Sequence, residues 1–143
     1  MSARKKFVDS VKSAALAVRN NRYFVKRGVI NWATFDFDKH TFAMSLLCDD
    51  MTFMKQSGIQ EMNFSIEAAT SIPDSTKQPE IDDGVLDSMI EDIETILNQT
   101  RASVDTNHDN ISLMVDTESA RIVEFHDSAL RVQGIVATIV VKY

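Results

Sequence analysis

The run Met62-Asn63-Phe64-Ser65-Ile66-Glu67-Ala68 alternates apolar and polar side chains without a break. Successive side chains of a strand point to opposite faces, so this stretch reads as a half-buried strand. It calls for a sheet with one packed face and for something apolar to cover that face. Two segments have the period to do so. In "RKKFVDSVKSAALAVRNN", Phe7, Val11, Ala14, Ala15 and Val18 fall on one stripe of a 3.6-residue helix. A second helix is predicted over 84–99, with a broader stripe of Val85, Met89, Ile90, Ile93, Ile96 and Leu97. Ser2 is the candidate cap of the first helix and Asn20-Asn21 its stop. Asp82 or Asp83 caps the second, whose early acids suit the positive end of a helix dipole.

The remaining segments read as strands and loops. "GVINWATFDFDKHTFAMSLLC" predicts strands near 29–36 and 42–48 around a turn at Asp38-Lys39-His40. "DDMTFMKQSGI" is too polar and irregular for a core strand and reads as an extended hairpin arm with Ser57-Gly58 at its turn. "IPDSTKQPEIDDG" holds both prolines and marks a loop, and "SVDTNHDN" marks another. Three strands are then predicted, at 111–115, 119–126 and 129–142, the last two flanking a tight turn at Asp127-Ser128. Gly134 inside the final strand predicts a bulge or a close backbone approach. The expected order is α-β-β-β-α-β-β-β in one domain spanning 1–143. Strands in blocks separated by one helix give an α+β class: a mainly antiparallel or mixed sheet covered by two amphipathic helices.

At 44% hydrophobic content, 143 residues suffice for a real core. No apolar run approaches the roughly 18–20 residues that span a bilayer, and "MSARKKFVDSVK" lacks the apolar stretch of a secretory signal, so no membrane partner is expected. The single Cys48 excludes an internal disulfide framework. Charge is uneven. Residues 1–27 hold eight bases against Asp9 alone, a net +7, leaving −13 for the rest of a chain whose net charge is −6. Between Lys77 and Arg101 stand Glu80, Asp82, Asp83, Asp87, Glu91, Asp92 and Glu94 with no base among them. This is either a pair of solvated helix faces or a molecule with two ends of opposite sign.

The residue types that carry chemistry do not assemble into a motif. Gly28, Gly58, Gly84 and Gly134 are isolated, so no phosphate loop is present. Cys48 alternates with Leu46 and Met44 and is expected to be a buried thiol. His40, His108 and His126 form no ligand pattern. Asp49-Asp50 and Asp82-Asp83 are adjacent and read as loop and cap residues rather than acid–base couples. No catalytic, cofactor-binding or metal-binding residue is therefore expected. A pI near 5.0 opposes nucleic-acid binding despite the basic first helix. What remains is apolar groups in a polar arm, Met51, Phe53 and Met54, of types enriched at interfaces. With them stand the two charged segments. Arg4, Lys5, Lys12 and Arg19 on one, and Asp87, Glu91 and Glu94 on the other, are candidate subunit or partner contacts.

The basic helix, the meander ending in "MNFSIEAAT", the acidic helix "LDSMIEDIETILN" and the close "ARIVEFHDSALRVQGIVATIVVKY" together resemble the tail terminator proteins of long-tailed phages. The resemblance covers most of the chain as an order of elements. It reaches residue level only over 120–143: a strand, a short polar turn, then a strand with a central "QG" before an alternating apolar run. It implies a hexameric ring of copies on the tail tube that stops tube polymerisation. The implied partners are the tube protein on one side and a head-completion or connector protein on the other, with DNA passing through without specific binding. The implied location is the virion, after assembly in the host cytoplasm. Two other readings compete: another neck component, such as a head-closure or adaptor protein, and a small cytosolic ligand-binding or enzymatic domain.

Overall fold

The computed structural model describes residues 3–54, 59–73, 80–106 and 114–142. The side chains of 50, 52–60 and 103–119 are outside that description, as are Ser2, the Ser57-Gly58 turn, His108 and residues 107–113. Seven elements follow in the order α1 (Ala3–Asn21), β1 (Tyr23–Arg27), β2 (Phe42–Met54), β3 (Ile59–Ser71), α2 (Asp83–Thr106), β4 (Met114–Asp127) and β5 (Val132–Lys142). The class is α+β, with one strand fewer than expected among the described residues. Of the segment predicted at 111–115 only 114–115 are described, and they and the segment predicted at 119–126 belong to the single strand β4, whose pairing slips between Asp116 and Arg121.

The five strands form one mixed sheet in the order β1-β2-β3-β5-β4. β1 runs parallel to β2, and every other pair is antiparallel. β5, last in the chain order, lies between β3 and β4 and is hydrogen-bonded on both sides. That position explains its apolar alternation: Ile135, Ala137, Ile139 and Val141 are fully buried. They join Met44, Leu46, Met62, Phe64, Ile66 and Ala68 from β2 and β3 in one core. Both helices cover this same face. α1 contributes Phe7, Val11, Ala15 and Val18, with the Phe7 ring edge-on to Phe64 at 5.2 Å. α2 contributes Met89, Ile93, Ile96 and Leu97 as the stripe predicts, and also Leu86. Asp82 is the cap: its Oδ1 accepts the Val85 N–H at 3.2 Å.

The strand expected near 29–36 is not formed. The parallel strand instead lies at Tyr23–Arg27, and 28–41 is a loop of turns. The reason is local. Asn31 Oδ1 accepts the Ala33 N–H, and Asp36 Oδ1 accepts those of Asp38 and Lys39. Side-chain acceptors of this kind hold turns in competition with a strand ladder. The aromatic residues that suggested a strand pack on one another, with Trp32, Phe35, Phe37, His40 and Phe24 in a chain of ring contacts. This loop folds over the second face of the sheet. Ser45 donates to the Gly28 carbonyl, Trp32 Nε1 donates to Glu67, and Ala43, Ser45 and Ala69 are buried beneath it.

Three smaller expectations change. Asp49 is in strand rather than loop, as the extra residue of a bulge in β2, where it accepts a hydrogen bond from Ser65. Cys48 is half-buried rather than buried. The β4–β5 turn has four residues, 128–131, with Arg131 in the left-handed region at φ 52° and Asp127 Oδ1 accepting the Leu130 N–H. Gly134 makes the close approach and no bulge: its pairing is unbroken on both sides. A Cβ there would stand 2.1 Å from the Ala68 carbonyl oxygen and 2.6 Å from the Phe125 ring.

Candidate functional site

β2 and β3 form a long antiparallel hairpin, 13 residues in each strand, and its far end is the arm expected from "DDMTFMKQSGI". β1 pairs only with Phe42–Leu46, so beyond that point no described strand lies along the outer edge of β2. Met51 is on this free length and is 50% exposed. Phe53 and Met54 continue the strand, and their side chains lie outside the described ones.

The charged candidates separate into two groups. Lys5 donates to Asp9 one helical turn away at 2.8 Å, and Arg4 is half-buried. Arg19 meets α2 within the same chain, at 2.7 Å from Asp92 and 3.6 Å from Glu91. Lys12 and Asp87 are exposed. Glu94 is exposed at the rim of an apolar groove of about 390 Å³ between α2 and β4, lined by Ile93, Leu97, Ala120, Ile122 and Ala137. The basic first helix and the acidic second helix are thus already joined inside one chain at Arg19.

That junction is a cluster built on Asp92, which is 3% exposed. Its carboxylate accepts three donors: Arg19 Nε at 2.7 Å, Arg22 Nη1 at 2.9 Å and Tyr23 OH at 2.6 Å. Arg22 also donates to Ser88 Oγ and lies 3.6 Å above the centre of the Phe42 ring. Burial, reinforced by the bond to Asp92, holds the Tyr23 phenol well above its ordinary pKa, and the bond to Asp92 raises that of Arg19. A carboxylate saturated in this way is a clamp. It fastens the end of α1 and the start of β1 to α2.

The backbone at the clamp is unusual. Val18 is extended, and Arg19, Asn20 and Asn21 follow with φ of 48°, 54° and 60°. Asn tolerates the left-handed region, whereas for most side chains it costs about 1–2 kcal/mol per residue. Arg19 takes this conformation with its guanidinium held by Asp92. Asp92 was hidden among the acids of a charge run, yet it stands three residues after Met89 and four before Ile96. That spacing places it on the apolar stripe, and an acid on such a stripe needs partners.

Of the histidines, His40 sits among rings, 4.8 Å from Phe24, and His126 is exposed at the end of β4. Among the described residues no three His, Cys, Asp or Glu side chains group as metal ligands. Among the same residues no helix is long and apolar enough to cross a membrane. Comparison with protein families and with curated proteins gives no match to this chain.

Proposed function

We propose that this chain is a structural protein of the phage neck, a tail terminator. In this reading, copies form a ring on the tail tube, deny further tube subunits a matching face, and offer the opposite face to a head-completion or connector protein. The work is done by surfaces, with no bond made or broken. The observation that carries the reading is the role of Gln133-Gly134, the pair at the centre of the segment that resembles the family. Gln133 is buried and accepts the Asp82 N–H at 2.8 Å, tying the closing strand to the start of α2. Gly134 admits the Ala68 carbonyl and the Phe125 ring. Substituting either residue would break the packing, so the "QG" works as a fold determinant. The hairpin arm supplies the apolar contact such an assembly needs.

The direct test combines mass in solution, electron micrographs of the purified protein, and addition of the protein to growing tail tubes. A discrete ring and tubes that stop lengthening are expected. A monomer at every concentration, with tube growth unaffected, overturns the reading. Changing Phe53 and Met54 together to Ser is expected to leave the monomer folded and to weaken assembly. Unfolding of that variant would assign the arm to the core.

A further inference from the structure

We draw no further inference here: the strongest candidate, the apolar groove between α2 and β4 lined by Ile93, Leu97, Ala120, Ile122 and Ala137, is an unpartnered face and nothing in the structure shows what covers it.

Discussion

Replacing Asp92 with alanine should be among the most damaging single changes outside the apolar core. The carboxylate is 4% exposed and Arg22, its nearer-buried partner, is 14% exposed. Removing one member of a buried ion pair leaves an uncompensated charge and typically costs about 3–5 kcal/mol. The Tyr23 hydroxyl loses its acceptor on Asp92 as well. Arg19 is a lesser party, because its side chain is 45% exposed and solvent screens the pair. Arg19→Ala should therefore cost far less than Asp92→Ala. The measurement is urea unfolding followed by circular dichroism, with thermal midpoints in parallel. Asp92→Ala should lower the midpoint by roughly 10 °C, at about 2–4 °C per kcal/mol for a chain of this size. The double change Asp92→Ala with Arg22→Ala should cost less than the two singles added, because both remove the same contact. A loss under about 1 kcal/mol for Asp92→Ala, or an Arg19→Ala loss equal to it, would show that the cluster does not clamp the helices together.

Gly134→Ala should destabilise by about 3 kcal/mol or more, since the added Cβ meets backbone that cannot rotate away, and an unchanged unfolding midpoint would contradict the packing described. Ile93→Asp, which buries an unpaired charge under α2, should cost several kcal/mol, and an unaltered melting temperature would place the wrong face of the helix inward. Tyr23 has a raised pKa in the folded state, so its contribution is fully present below its ordinary value near 10 and is lost as pH rises above it. Stability against pH should therefore fall more steeply above about pH 10 in the native chain than in Tyr23→Phe, and parallel curves would refute the assignment.

The core was readable because its period is strict. Met62, Phe64 and Ile66, together with Met89, Ile93 and Ile96, are where a period of two and a period of 3.6 place them. The failures share a cause. Trp32, Phe35 and Phe37 are strand-forming by type, but Asn31 and Asp36 bind the backbone around them, and a competition between side-chain acceptors and a ladder is decided by geometry. β1 was missed because five residues are too few to show a period. Asp92 was missed because a run of acids is usually a solvated face, and its partners lie about 70 residues away in sequence. The candidate contacts were readable as residue types only. Arg19 looked available until its path to α2 was visible.

The central position of β5 has a consequence for the order of events at the ribosome. Synthesis runs at roughly 5–20 residues per second, and domains generally fold as units as they emerge. The β2–β3 hairpin can close early, because its strands are neighbours in sequence. β3 and β4 cannot be joined until β5 has left the exit tunnel, since β5 is the strand between them. Until then the nascent chain holds an unfinished sheet and β4 has no neighbour. The finished face of the sheet is therefore withheld from the chain until β5 has emerged.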